Sequence, residues 1–313
     1  MKNIIIVTGR SRCIGNFYDT LINPIKGYFN DKNILYKTID FADQVRNDTN
    51  DDNLYIGIFH HVDIRNMPVN YIMLAMDPPS NCDDIMIQKI KNAKSILVYT
   101  AIDFFKTIHN NIIYYPFPYH KSIENMYNLN INNIEKNRDL IMIGSINDNR
   151  KFIYNSFKNH NYNIYCPNIE NGSKGIYEKE QDMLFHSSKI VILNNYYKND
   201  IDHPRMIYNS SNKIFFIYIL NDEDDENLLD DVYNNMVVKC NSKNMFEIIN
   251  YYLKNEDKRI EILNLLYNHV KTNVNVDKYL KILELEFFEY NFLNIIPYPF
   301  IIKIFFYNIH LIF

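Results

Sequence analysis

Gly144-Ser145 ends the apolar run Asp139–Ile143 and is followed by a polar turn and then by Arg150 at the opening of a helix. One glycine at a strand's carboxyl end, facing the free amides of a helix N-terminus, is a minimal site for an anion. Arg150 adds a planar fork that can grip a phosphate with two hydrogen bonds. The plainer alternative is a strand-turn-helix carrying a surface arginine. A second helix opens at Asp202-His203-Pro204-Arg205, where His203 can donate to a diphosphate or simply fill a core or surface position. In the first third, His60-His61-Val62-Asp63 follows the run Leu54–Phe59. Two imidazoles and one acid fall short of a metal site unless a fourth partner arrives. The dense run Asp222–Glu226, with Asp230 and Asp231, is either a solvated loop and helix start or a cation site.

Composition removes many other chemistries. The chain has 313 residues and seven glycines, where average usage of about 7% would give roughly 22. A Walker loop needs G-x-x-x-x-G-K-S/T and a dinucleotide fingerprint needs G-x-G-x-x-G, and neither string occurs. Glycine is replaced by 48 Asn and 49 Ile, beside 26 Tyr and 20 Phe. This is the residue set of AT-rich codons, so a lone Asn, Ile or Tyr is expected to carry little functional information. The formal net charge is −4 with both signs mixed along the chain, which leaves no basic footprint for nucleic acid. Cys13, Cys82, Cys166 and Cys240 lie far apart with no C-x-x-C pair, which points to a reducing, cytoplasmic setting rather than a zinc site or disulfide framework. The opening apolar run, Ile4–Val7, is too short for a signal-peptide core.

The elements that must position these residues alternate along the chain. Strand-like runs are Ile4–Thr8, Asn33–Thr38, Leu54–Phe59, Tyr71–Leu74, Ser95–Tyr99 and Ile112–Tyr115, with helix-period segments such as Gly15–Phe29, Asp83–Lys91 and Ala101–Ile108 between them. Pro116-Phe117-Pro118 breaks this rhythm. A second series then runs through Asp139–Ile143, Tyr162–Cys166, Lys189–Leu193, Lys213–Ile219 and Asn235–Val238. The pattern predicts an α/β chain of two doubly wound Rossmann-like domains, 1–118 and 138–275, joined by a linker at 119–137. Ligands of such sheets lie at the carboxyl ends of the strands, so the natural site is the cleft between the two. Residues 276–313 form a C-terminal helix and apolar tail. Within it, 295–313 is read as a packing segment across the domains or as a peripheral membrane contact, its start being consumed by Pro297 and Pro299.

Two family resemblances follow. Val7-Thr8-Gly9-Arg10-Ser11-Arg12-Cys13-Ile14-Gly15 resembles the turn of short-chain dehydrogenases, with Tyr154 and Lys158 as their Y-x-x-x-K pair. Cys13 stands where that family's central glycine must let a pyrophosphate approach. This leaves an NAD(P)-dependent oxidoreductase as the weaker alternative.

The order of motifs in the second half is similar to that of GT-B glycosyltransferases, especially the spore-maturation type and related sugar transferases of large DNA viruses. Gly144, Ser145 and Arg150 match the family's "v-G-s … R"; Lys189, Ile190, Leu193 and Asn194 its "s-k-I-x-L-N"; and Arg205 its "R-x-x-E" helix. Upstream, Tyr71–Ser80 with Asp77, Ala93–Thr100 and Tyr114–Pro118 resemble its first-domain segments. The resemblance implies a nucleotide-sugar transferase without metal or cofactor, acting on a glycan, protein or lipid acceptor. Donor-binding roles would fall to Gly144, Ser145, Arg150, Asn194, His203 and Arg205, and the acceptor-activating role to Asp77 or His60. The family's acid and glycine are here Tyr208 and Asn212. That departure leaves open a protein that has kept the fold and lost the activity.

Overall fold

Ile4 and Ile6 of the first strand turn to one side of a sheet, Ile5 and Val7 to the other, and all four are buried. A strand sunk on both faces needs a layer above and a layer below. In the computed structural model, which describes residues 3–10, 18–76, 81–99, 101–170, 172, 176, 178–195, 201–221 and 229–281, helices supply both layers.

The first sheet joins β1 (Asn3–Arg10), β2 (Tyr36–Phe41), β3 (Asn53–Gly57), β4 (Tyr71–Ala75), β5 (Ser95–Val98) and β6 (Ile112–Tyr114). All pairs are parallel and the order is β2-β1-β3-β4-β5-β6. Helix α1 (Asp19–Asp31) packs Leu21, Ile22, Ile25 and Phe29 on one face. Helices α2 (Asp84–Asn92) and α3 (Ile102–Lys106) cover the other through Met86, Ile90 and Phe105. Asp83 starts α2 by accepting the Met86 N–H at 2.7 Å, the usual way to satisfy an orphan donor.

The second sheet joins β7 (Arg138–Met142), β8 (Ile164–Tyr165), β9 (Ser188–Asn194), β10 (Phe216–Ile219) and β11 (Lys239–Cys240), again all parallel, in the order β11-β10-β9-β7-β8. Its helices are α4 (Asp148–Asn159), α5 (Pro167–Glu170), α6 (Glu178–His186), α7 (His203–Ser211), α8 (Asp230–Tyr233), α9 (Met245–Lys254) and α10 (Glu256–Asn273). Ile153 and Phe157 of α4 and Ile249 of α9 cover one face; Met206 of α7 and Leu266 and Val270 of α10 cover the other. Read from β8, this is the strand order of the first sheet without its sixth strand. Each sheet reverses direction at its first strand, between β1 and β3 and between β7 and β9, and such switch points open a crevice beyond the strand ends.

Two chain crossings join the sheets, and they pair with each other. The Tyr119 N–H donates to the Val274 carbonyl at 2.7 Å, and the Val276 N–H to the Tyr119 carbonyl at 2.9 Å. Residues 276–281 are helical, and Val276 and Leu280 are buried in the core of the first sheet. The last strand differs most from its sequence expectation: it lies at Lys239–Cys240, because Asn234 and Asn235 take left-handed conformations after α8 and delay it. Among the described residues no helix is long and apolar enough to cross a membrane. The tail 295–313 lies outside them, as does the acidic run Asp222–Glu226.

Candidate functional site

Two helices aim their first turns at Gly144. The Asn147 side chain caps α4 by accepting the Arg150 N–H at 2.8 Å, and Asp202 caps α7 by accepting the Arg205 N–H at 3.4 Å. Each arginine thus sits three residues after an Asx cap, where the macrodipole already favours an anion. Gly144 follows β7 with φ of +137°. A Cβ on it would lie 2.5 Å from Arg150 Nη1 and 3.1 Å from both terminal nitrogens of Arg205. The two guanidinium groups therefore converge on one backbone position, which only glycine leaves open.

Arg150 is held there by β9. Its Nε donates to Asn194 Oδ1 at 2.9 Å, Nη2 to the Asn194 carbonyl at 3.0 Å and Nη1 to the Ser145 carbonyl at 2.7 Å. The residue is 3% exposed, and Asn194 1%. Burial, then the neighbouring Arg205, pull the Arg150 guanidinium down to about 10, so it stays charged at neutral pH. Arg205 pairs with Asp202 at 2.5 Å. Both guanidinium groups lie at the β7–β9 switch point, with the Asp202 carboxylate on Arg205. Gly144, Ser145, Arg150, Asn194 and Arg205 are thus brought together.

His203 is directed elsewhere. It is 1% exposed, its Nδ1 lies 3.1 Å from the Tyr233 hydroxyl, and its ring meets Tyr99 edge to face. Burial lowers its pKa to about 3, so the ring is neutral.

The first sheet's switch point carries different groups. Arg10 at the end of β1 is paired with Asp19 in the first turn of α1. His60 is half-buried beyond β3, and His61 is exposed with Nε2 3.2 Å from the Tyr18 hydroxyl. Asp63 turns away to Arg65, whose guanidinium holds the carboxyl well below the usual range. Lys89, 4% exposed, donates to the Phe59 and His60 carbonyls at 3.1 and 3.0 Å and so fixes the turn that carries the histidines. Asp77 lies outside the described residues. No group of three or more metal-ligating side chains occurs among the described residues.

The two departures from the family pattern have structural occupations. Tyr208 is buried and donates to Asp182 at 2.5 Å. Asn212 caps the far end of α7 and grips the linker, donating to the Ile123 carbonyl at 3.0 Å and accepting the Asn125 N–H at 2.6 Å. The Tyr154–Lys158 pair is also engaged. The phenol donates to Glu170 at 2.9 Å, and burial with that carboxylate raises its pKa, the reverse of what a dehydrogenase phenolate requires.

The residues that the sequence reading missed are Asp202, the counter-charge, and Asn147, the cap. An Asx three residues before each arginine was the available signal.

Two parallel sheets of one strand order, facing each other across a paired double crossing, match solved structures over nearly their whole length. A structure of trehalose-6-phosphate from E. coli bound with UDP-2-fluoro glucose superposes with a TM-score of 0.51 at 10% identity, covering 91% of this chain and 99% of that one. Trehalose-6-phosphate synthase analysed with bisubstrate glycomimetics gives a TM-score of 0.50 at 9% identity, with the same coverage. The fold is GT-B. At this identity the likeness is one of architecture. No family model and no curated protein matches the sequence. In the GT-B frame, the arginine pair occupies the switch point of the second domain.

Proposed function

We propose that the chain is a glycosyltransferase that takes its sugar from a nucleotide-sugar donor, with the donor diphosphate against Gly144 between Arg150 and Arg205. The observation that carries this reading is the convergence of two guanidinium groups, each from the first turn of a helix, on one glycine. Helix N-termini and arginine forks on one backbone position suit the oxygens of a diphosphate. The neighbour solved with UDP-2-fluoro glucose holds a nucleotide sugar in the same fold, and the motif order resembles the spore-maturation and viral transferases.

In the transfer, the acceptor hydroxyl oxygen bonds to the anomeric carbon as the bond from that carbon to the diphosphate oxygen breaks. The electron pair leaves on the diphosphate. Arg150, Arg205 and the first-turn amides of α4 and α7 meet that growing charge, so the proposed mechanism needs no metal. The hydroxyl proton passes to a base from the first domain, for which Asp77 and His60 are the candidates.

Tyr208 favours a second reading, a GT-B protein kept for binding rather than turnover, because a phenol held by Asp182 replaces the family's acid. Incubation with a panel of nucleotide sugars separates the two, with released nucleoside diphosphate as the readout. Release from at least one donor supports transfer. Binding without release supports the second reading, and neither binding nor release contradicts both.

A further inference from the structure

Asn23, Gly27 and Asp31 recur at four-residue spacing and so form one stripe on α1. The linker lies along that stripe. The Ser122 hydroxyl donates to the Asn23 carbonyl at 2.9 Å, Lys121 pairs with Asp31 at 3.1 Å, and His120 Nε2 lies 3.2 Å from the same carboxylate. The Asn23 amide in turn donates to Met126 Sδ at 2.9 Å. Gly27 is what admits the imidazole. A Cβ there would lie 2.1 Å from both Cε1 and Nδ1 of His120, within the ring's own volume. Glycine inside a helix weakens it relative to alanine, and this chain has only seven. One of them stands at mid-helix, under a histidine.

Asp31, His120 and Ser122 have the composition of a nucleophilic triad, but their bonds give them another use. His120 Nδ1 accepts the Ser122 N–H at 3.0 Å, and the Ser122 hydroxyl has the Asn23 carbonyl to donate to, so the serine is fastened rather than activated. The other side of the same segment belongs to the second domain. Ile123 is buried in that domain's core, and its carbonyl accepts from Asn212 Nδ2 at 3.0 Å. The Asn125 N–H donates to Asn212 Oδ1 at 2.6 Å, and Glu124 accepts the Tyr267 hydroxyl of α10 at 2.9 Å. A glycine at 212, as in the GT-B pattern, would have no side chain for either asparagine bond.

We propose that residues 120–126 are a lock that holds the two domains at one fixed angle, with the His120 ring on Gly27 as its catch in the first domain and Asn212 as its catch in the second. Domains joined by a free linker move against each other by default. Here the connection is bonded to both partners over its whole length, so a rotation of one domain against the other has to break one catch. The lock does not rest on the transferase reading.

Double electron–electron resonance on the full chain tests this, with spin labels at Lys37→Cys in β2 and Lys254→Cys in α9, both exposed positions, in a Cys13→Ser, Cys82→Ser background. The labelled parent gives one narrow interdomain distance. Gly27→Ala displaces the ring and Asn212→Gly removes both linker bonds, and each broadens the distribution or splits it into two peaks. Alanine is the better helix former, so broadening in Gly27→Ala reports the lost catch and not a weakened α1. Circular dichroism confirms that each variant is folded, and Asn212→Gly serves if Gly27→Ala is not. A broad distribution in the parent, or one that stays narrow in the folded variants, overturns the proposal.

Discussion

The two domains share one strand order, and each ends its first strand near a glycine in the left-handed region, Gly9 at φ +71° and Gly144 at φ +137°. What each glycine faces differs. A Cβ on Gly9 would meet the Ile58 side chain, including its Cβ, whereas a Cβ on Gly144 would meet two guanidinium groups. Arg10 in the first domain is paired with Asp19, while in the second Arg205 is paired with Asp202 and Arg150 is held by Asn194 and the Ser145 carbonyl. At the corresponding glycine one domain packs an aliphatic side chain and the other gathers two guanidinium groups. Topology therefore supplies the place, and a few side chains at helix N-termini decide its use.

Acid should divide the domains most strongly. Burial lowers His203 to about 3 and, helped by Lys136, His186 to about 4, and both lie in the second domain. Unfolded imidazoles bind protons below about 6.5, so their stabilisation is complete above that pH and is lost as pH falls toward 4. At about 1.4 kcal/mol per pH unit, His186 is worth on the order of 3 kcal/mol and His203 on the order of 5 kcal/mol at full protonation. Asp182, raised by burial, acts the other way and blunts the fall. In the first domain, Asp31, Asp48 and Asp63 are lowered by hydrogen bonds, and their smaller, solvent-screened contribution is lost only as pH falls below the ordinary carboxylate range. Hydrogen exchange at pH 5, corrected for intrinsic rate, should show α6 and α7 losing protection before α1. Equal loss in both domains would break the distinction.

The glycines offer the next contrast. Gly144→Ala should weaken nucleoside diphosphate binding over a hundredfold, about 2.7 kcal/mol, by displacing Arg150 and Arg205. Gly9→Ala should instead lower the thermal midpoint through its clash with Ile58, leaving the folded protein's affinity near wild type. Calorimetry on both variants checks the pair. A smaller effect belongs to the residues at or just after the end of the third strand of each sheet. Asn194→Ala removes the acceptor for Arg150 Nε and should cost affinity by several-fold, about 1 kcal/mol, while His61→Ala should leave it unchanged. Equal losses in the two would mean that the first domain also holds the nucleotide.

Much of this architecture was legible because parallel strands buried on both faces read as short apolar runs. Ile4–Thr8, Tyr71–Leu74, Ser95–Tyr99 and Lys189–Leu193 all lie within two residues of strand ends. Where strand starts moved, a residue with positive φ precedes them, in most cases asparagine and before β10 Lys213. Asn33 after α1, Asn161 after α4, and Asn234 and Asn235 after α8 adopt positive φ, a role usually given to glycine, which this chain scarcely has. Treating each asparagine as compositional background hid the turn at Asn234 and Asn235 that delays the last strand. At the site, Gly144, Arg150 and Asn194 were visible from order along the chain. The burial of His203 and the pairing of Tyr208 with Asp182 were not, because both depend on which helices pack together across the second domain.

The central claim is that the second domain's switch point, and not the first's, binds the donor diphosphate. Calorimetric titration of uridine diphosphate into wild type, Arg205→Ala and Arg10→Ala tests it directly, with circular dichroism confirming that each variant is folded. The account predicts a loss of more than tenfold, about 1.4 kcal/mol, in Arg205→Ala and no change in Arg10→Ala. Undiminished affinity in Arg205→Ala, or a matching loss in Arg10→Ala, would contradict it.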